Sequence, residues 1–176
     1  MKWLEPIQQF DLTLFQWCMA RRRREMLTSL GRAVSKTADG WVYALFAMCF
    51  AALSWPSHAT FLKVYLLAFV SERLIYFVLK NSFRRNRPAD AISGFHSFVV
   101  PSDKFSFPSG HTSAAFLFTV LASSQFPVLL PFLLFWSVWV ALSRVFLGVH
   151  FPTDTVVGAV LGSSVAFYAI NAGGLL

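Results

Sequence analysis

Long apolar runs alternate with short polar clusters over most of this chain. Gly40 to Ser57 contains no charged residue. Thr60 to Lys80 is apolar except for Lys63 and the Glu72-Arg73 pair. His111 to Ser143 has no charge beyond its first residue, and Thr155 to Leu176 has none. Runs near or above about 18 apolar residues have the length of a bilayer span. The His111–Ser143 run is too long for one span, and Ser123-Ser124-Gln125-Phe126-Pro127 is its natural turn. The pattern therefore predicts five spans: 40–57, 60–80, a third from about Ser109 to that turn, a fourth from the turn to about Arg144, and 155–176. Ahead of them, Leu4, Ile7, Phe10, Leu14, Trp17 and Cys18 recur at helical spacing, with Gln8, Gln9, Asp11 and Gln16 between. That segment is too short and polar to span and predicts an amphipathic helix lying in the interface. Met26, Leu27, Leu30 and Val34 predict a second short helix ending near Asp39-Gly40. The fold expected is an all-α polytopic membrane bundle of about five transmembrane helices plus the N-terminal interfacial helix. Residues 1–39 form the interfacial part and 40–176 the transmembrane domain.

Composition sharpens this picture. Of 176 residues, 56% are hydrophobic and only 13% charged, against about 25% charged in a soluble domain. The formal charge is +7. Its basic residues crowd at the ends of apolar runs, which fits anionic lipid headgroups and a phosphate site rather than nucleic acid. Cys18 and Cys49 form no spacing pattern and read as apolar fillers, not a disulfide framework. Lys2 is followed by Glu5, Gln8, Gln9 and Asp11, so no signal-peptide core forms. The Arg21–Arg24 run is a solvated basic cap and a cytoplasmic topology signal. Glu72-Arg73 is costly in lipid unless it faces protein.

Five spans put three polar clusters on one face: Lys80 to Pro88, Phe107 to His111, and Ser143 to Asp154. Asn81 to Phe107 is the one long polar connection and lies on that face as well. Pro108-Ser109-Gly110-His111 stands at a helix start, where Ser109 can cap, Gly110 admits close backbone approach and free amides bind phosphate. Pro152 suits a first helical position and Asp154 falls in the first turn. His150 and Asp154 are four apart, so the carboxylate can hold one imidazole nitrogen and free the other to attack. His111 can protonate a leaving oxygen. Lys80, Arg87 and Arg144 can stabilise transferring phosphoryl oxygens. Each residue alone has a structural reading, such as a turn histidine or a snorkelling arginine; the combination points to chemistry.

These spacings resemble the type 2 phosphatidic acid phosphatase superfamily, which also includes vanadium haloperoxidases and bacterial acid phosphatases. Lys80 with Arg87-Pro88 matches its first motif, Pro108 to His111 its second, and Ser143-Arg144, His150 and Asp154 its third. The resemblance implies that His150 is the nucleophile forming a phosphohistidine, Asp154 its orienter and His111 the general acid. It implies that Lys80, Arg87, Ser109, Gly110 and Arg144 bind the phosphate, with no metal and no cofactor. The expected activity is hydrolysis of a lipid phosphate monoester or diphosphate, of phosphatidylglycerophosphate, phosphatidic acid or polyprenyl phosphate type. The expected partners are that phosphorylated lipid and the surrounding membrane lipids, without nucleic acid, in a bacterial inner membrane.

The family's bacterial lipid phosphatases commonly have six spans and an outward site. This chain lacks the first, so its arginine-rich start shares the active-site face and the charge rule turns that face to the cytoplasm. The alternatives are an outward-facing undecaprenyl-diphosphate phosphatase, a vanadate-dependent peroxidase, and a non-catalytic lipid-binding protein.

Overall fold

The computed structural model describes residues 5–20, 24–52 and 58–174. Every regular element among them is helical. In chain order these are α1 (Glu5–Met19), α2 (Arg24–Lys36), α3 (Gly40–Ala52), α4 (His58–Phe83), the short α5 (Pro88–Ala91), α6 (Gly110–Gln125), α7 (Leu130–Phe146) and α8 (Pro152–Ala172). A 3-10 turn, Pro127–Leu129, leads into α7. Prolines punctuate the ladder where a missing N–H costs nothing: Pro88 and Pro152 each open a helix, and Pro127 follows the end of α6.

The two expected N-terminal helices form, and α2 stops at Lys36, a turn short of Gly40. α4 runs three residues past the expected end at Lys80. Arg21–Arg23 and the Pro56-Ser57 turn lie outside the described residues. No disulfide joins Cys18 and Cys49.

α6 is the central helix and packs most closely on α8. Gly158 and Gly162 make that possible. A Cβ on Gly158 would lie 2.6 Å from the Ser109 carbonyl oxygen, and one on Gly162 only 2.0 Å from that of Ser113. The two glycines thus let backbone touch backbone, as their four-residue spacing suggests. On the other side of α6, Phe118, Leu117 and Leu121 meet an aromatic cluster of Tyr43, Phe50, Phe61 and Tyr65 from α3 and α4. Fully burying such a side chain contributes about 1.5–3 kcal/mol against water, and less against lipid.

The exterior is apolar as well. Leu66, Leu67, Leu74 and Phe77 on α4, Phe132 and Phe135 on α7, and Val160 and Phe167 on α8 all point outward. Pro127–Phe146 and Pro152–Ala172 are long and apolar enough to cross a membrane, and only 28% and 33% of their most apolar windows is buried within the protein. Helices bare to this extent are not core helices of a soluble domain; this is the surface of an integral membrane protein. Each of the five predicted spans holds a helix among the described residues, and two of these helices satisfy the length and composition of a crossing.

Candidate active site

Four helix ends and two loops converge on one end of the bundle. Lys80 sits in the last turn of α4 and Arg87 immediately precedes α5. Ser109, Gly110 and His111 open α6, Arg144 lies in the last turn of α7, and Asp154 in the first turn of α8. Gly148 turns the chain between α7 and α8 with φ +73°, a conformation that L side chains rarely adopt, and a Cβ there would strike the Phe95 ring. Hydrogen bonds to backbone carbonyls hold the ends together. The Ser109 N–H donates to the Asp154 carbonyl at 2.9 Å, and Arg87 Nη1 donates to the Val149 carbonyl at 2.5 Å.

The ends enclose a cavity of about 330 Å³. Of the eight residues singled out from the sequence, Arg87, Gly110, His111, Arg144 and His150 line it. Lys80 reaches its wall through Asp103, with Nζ 2.7 Å from Asp103 Oδ2. Ser109 and Asp154 are buried behind it. Deeper in the bundle the lining changes to Tyr43, Phe69 and Ala114, so the cavity is polar at one end and aromatic at the other.

His150 is 2% exposed. Its Nδ1 lies 3.8 Å from Asp154 Oδ2, adjacent but beyond hydrogen-bond reach, and has no hydrogen-bond partner among the described residues. The hydrogen bond expected between them is therefore absent. The reason is that Asp154 is already engaged: Oδ2 accepts the Phe151 N–H at 2.8 Å, closing the first turn of α8, and Oδ1 accepts Arg85 Nη1 at 2.7 Å. Burial pushes the His150 imidazole down to about 4, with Arg144 and Arg87 adding to the effect against the opposing pull of Asp154. At neutral pH the ring is uncharged, the form whose nitrogen lone pair can attack.

His111 Nε2 lies 3.2 Å from Asp39 Oδ1, at the turn before α3. Arg144 Nη1 donates to Ser35 Oγ at 2.6 Å, while its buried Nε has no hydrogen-bond partner among the described residues. Ser109 occupies the N-cap position of α6 but does not cap it; its hydroxyl pairs with Thr112 Oγ1 at 3.0 Å. Gly110 has a second use besides backbone exposure, since a Cβ there would lie 2.9 Å from the Tyr76 ring. The first helical bond of α6 runs from Ser113 N–H to Ser109 O, which leaves the amides of Gly110, His111 and Thr112 ahead of the ladder.

Sequence reasoning missed three carboxylates, Asp103, Asp39 and Asp11, and their partners' use of them. Asp103, in the long connection, accepts Lys80 Nζ and the Tyr76 hydroxyl on Oδ2 and pairs with Arg87 through Oδ1. Burial opposes its ionisation, but these hydrogen bonds and the charges of Lys80 and Arg87 hold its carboxyl down at about 2. It thus occupies the space between two of the expected phosphate-binding cations. Asp39 holds His111; Asp11, on α1, binds Arg85; and Glu72, on α4, is fully buried. The signal available for Asp103 was an acid inside the one polar connection of a basic face. Asp11 is the sole acid of α1 beyond its first residue.

Glu72 is both the structural partner of Arg73 and a support for the site. Arg73 grips it bidentately at 2.7 and 2.8 Å, Ser113 Oγ donates to it at 2.6 Å, and Arg73 Nη2 reaches the Gly110 carbonyl at 3.3 Å. Arg73→Leu alone strands the fully buried Glu72 carboxylate and is expected to destabilise by about 3–5 kcal/mol. The joint Glu72→Leu, Arg73→Leu replacement is expected to cost less. Thermal unfolding in detergent decides this: equal losses from single and joint changes would rule out the pairing.

Among the described residues no group of three or more His, Cys, Asp or Glu is arranged to hold a metal ion. The PAP2 superfamily model matches residues 61–174, well over half the chain, and the chain belongs to that superfamily. It is 34% identical over 107 residues to decaprenylphosphoryl-5-phosphoribose phosphatase of Mycobacterium tuberculosis, covering 61% of this chain and 58% of that protein. It is 41% identical over 110 residues to phosphatidylglycerophosphatase B of Bacillus subtilis, covering 55% and 50%. The chain thus spans little more than half the length of these curated relatives. The crystal structure of a transmembrane PAP2-type phosphatidylglycerolphosphate phosphatase from Bacillus subtilis superposes with a TM-score of 0.76 at 24% identity, over 97% of this chain and 87% of that one. At that identity the likeness is one of fold.

Proposed function

We propose that this PAP2-superfamily chain is a metal-independent phosphatase, without a cofactor, that hydrolyses a phosphate monoester or diphosphate of a membrane lipid through a phosphohistidine. The observation that carries the reading is the single cavity on which His150, His111, Arg87 and Arg144 meet, continuing onto Tyr43 and Phe69. A headgroup phosphate fits its basic end and the start of an acyl or prenyl tail its aromatic end.

In the reaction, Nε2 of neutral His150 attacks phosphorus. The phosphorus–oxygen bond to the lipid breaks, and His111 gives its proton to the departing oxygen. Lys80, Arg87, Arg144 and the first amides of α6 hold the three spreading phosphoryl oxygens. Ser109 and Gly110 shape that helix start. Water then attacks phosphorus on the opposite course, gives its proton to His111, and the phosphorus–nitrogen bond breaks to release phosphate. Asp154 steadies the imidazole, which becomes positively charged in the intermediate. In this step the 3.8 Å gap to Nδ1 closes, as catalytic hydrogen bonds do on substrate binding.

In this reading residues 40–176 form the phosphatase domain, whose five helices α3, α4, α6, α7 and α8 cross a bacterial inner membrane. Residues 1–39 lie on the active-site face. α1 supports this placement, since Phe15 packs on Phe95 and Phe151, both in loops of that face. At 15 residues α1 is roughly 22 Å long, short of a hydrocarbon core of about 30 Å. The basic residues Arg32 and Lys36 of α2 share the face, and the charge rule turns it to the cytoplasm. A cytoplasmic site favours lipid phosphates made on the inner leaflet. The names of the two curated relatives specify a polyprenyl phosphosugar and phosphatidylglycerophosphate, and both classes belong in the substrate panel.

The test joins topology to chemistry. Ser93→Cys and Ser124→Cys are placed separately in a background without Cys18 and Cys49 and labelled from outside intact cells. Label on residue 124 and none on residue 93 is expected; the reverse pattern overturns the cytoplasmic site. Purified protein in mixed micelles is then given phosphatidylglycerophosphate, phosphatidic acid and a polyprenyl phosphate. Phosphate release through an acid-labile, base-stable phosphoenzyme is expected, and turnover without one refutes the phosphohistidine.

A further inference from the structure

The carboxylate of Asp154 does not stand alone behind His150. Arg85 donates from Nη1 to Asp154 Oδ1 at 2.7 Å and from Nη2 to Asp11 Oδ2 at 2.6 Å. Thr153 completes the join. Its hydroxyl accepts from Arg85 Nη1 at 2.9 Å and donates to Asp11 Oδ2, and its N–H donates to Asp11 Oδ1 at 3.0 Å. The guanidinium lies 4.5 Å over the Phe151 ring. Asp11 and Asp154 are both fully buried. The result is a carboxylate–guanidinium–carboxylate chain that starts on α1 and ends at the residue beside His150.

We propose that Asp11 and Arg85 are positioning residues for Asp154, so that α1 is a working part of the active site and not only a membrane anchor. The proposal rests on the reading of His150 and Asp154 as nucleophile and orienter. The physical argument concerns direction and charge. Arg85 holds Oδ1, and the Phe151 N–H holds Oδ2, so the carboxylate plane is fixed with Oδ2 toward His150 Nδ1. Arg85 alone would also neutralise Asp154 and weaken its hold on an imidazole that turns positive. Asp11 shares that guanidinium. The chain then keeps a net charge of −1 where the phosphohistidine intermediate needs it. The buried Asp11 carboxylate is held by three donors, one from Arg85 and two from Thr153, and that engagement is what permits its burial.

The experiment compares Asp11→Asn, Arg85→Gln and Arg85→Lys with Phe15→Leu, which loosens α1 and leaves every donor and acceptor of the charge chain in place. Steady-state constants and the single-turnover rate of phosphoenzyme formation are measured in detergent, with melting temperature for each variant. Asp11→Asn and Arg85→Gln are expected to lower kcat and phosphoenzyme formation by about 10- to 100-fold, as loss of such supporting partners does. KM should change by less than about 3-fold, because the substrate's own contacts remain. Arg85→Lys should recover part of the loss, and the double variant should fall short of the product of the single effects. Phe15→Leu should lower the melting temperature and leave kcat in place. If Asp11→Asn fails to fold, Arg85→Lys against Arg85→Gln still reads the relay. Wild-type kcat in Asp11→Asn and Arg85→Gln overturns the proposal. So does a kcat loss that tracks melting temperature along the same line as Phe15→Leu. A His150→Ala protein that still turns over would instead overturn the nucleophile on which the relay depends.

Discussion

His150→Ala is expected to remove at least about 10⁴-fold of the turnover while the protein still folds. No other described side chain on the cavity combines a buried, uncharged nitrogen with a neighbouring carboxylate: His111 faces Asp39 nearer the surface. In the proposed mechanism the size of the loss follows from covalent catalysis, since without the nitrogen the route through two displacements closes altogether. The same residue makes a pH prediction. Its folded-state value, about 4, lies below the 6.5 of an exposed histidine. The attacking form therefore persists in acid, and the acid limb of kcat/KM set by this group is expected near pH 4, not near 6.5. Linkage runs in the same sense. A histidine whose value falls on folding contributes stability that is full above about 6.5 and drains away as pH drops toward 4. His150→Gln should flatten that part of the melting-temperature profile. Substantial activity in His150→Ala, or an unchanged profile in His150→Gln, contradicts the assignment.

Gly162→Ala is expected to be the most damaging single-methyl change in the fold, and Gly162→Val worse. A Cβ there would sit 2.0 Å from the Ser113 carbonyl oxygen and 2.9 Å from the Leu117 nitrogen. Both obstacles are backbone in the middle of α6, so no rotamer change relieves them. α6 and α8 must move apart, at a cost of about 1–3 kcal/mol or more. Separation reaches the chemistry because His111 opens one helix and Asp154 the other, with the Ser109–Asp154 backbone bond between them. Activity should fall along with melting temperature. Gly31→Ala is the matched control: its Cβ would meet only ordinary contacts at 3.6 Å, and a helical glycine replaced by alanine loses nothing. Unchanged stability in Gly162→Ala would mean that the two helices are not packed as described.

The helices were legible because charge is sparse in them: the described part of each apolar run is helical, and the His111–Ser143 run breaks at Phe126-Pro127, within the expected Ser123–Pro127 turn. Whether each helix crosses a membrane was less legible. α3 has 13 described residues, roughly 20 Å, which periodicity cannot turn into a crossing. Lys80, Arg87, His111, Arg144 and His150 were legible because they sit at fixed distances from helix ends, and ends that share a face meet. Asp103, Asp39 and Asp11 were not. Their partners lie 23, 72 and 74 residues away, in segments with no period to carry the information. The His150–Asp154 spacing gave proximity but not a hydrogen bond, because spacing records which atoms can meet and not which competitors arrive first. Arg85 is that competitor, two residues from a motif arginine and invisible as such.

A phosphatase embedded in a bilayer works in a solvent of phosphodiesters, every one carrying a single negative charge. Lys80 and Arg87 left open would be an ion exchanger, filled by whichever ordinary headgroup drifted past. Asp103 changes the exchange reaction. An arriving diester displaces one negative charge with another and gains nothing in the Coulomb balance, while a terminal phosphate brings up to two and gains the difference. Because the Asp103 carboxyl stays ionised down to about pH 2, that threshold stands at any pH the cell reaches. In the proposed reaction, discrimination between a lipid to be dephosphorylated and the lipids around it thus begins before any headgroup is recognised, in the charge that must leave.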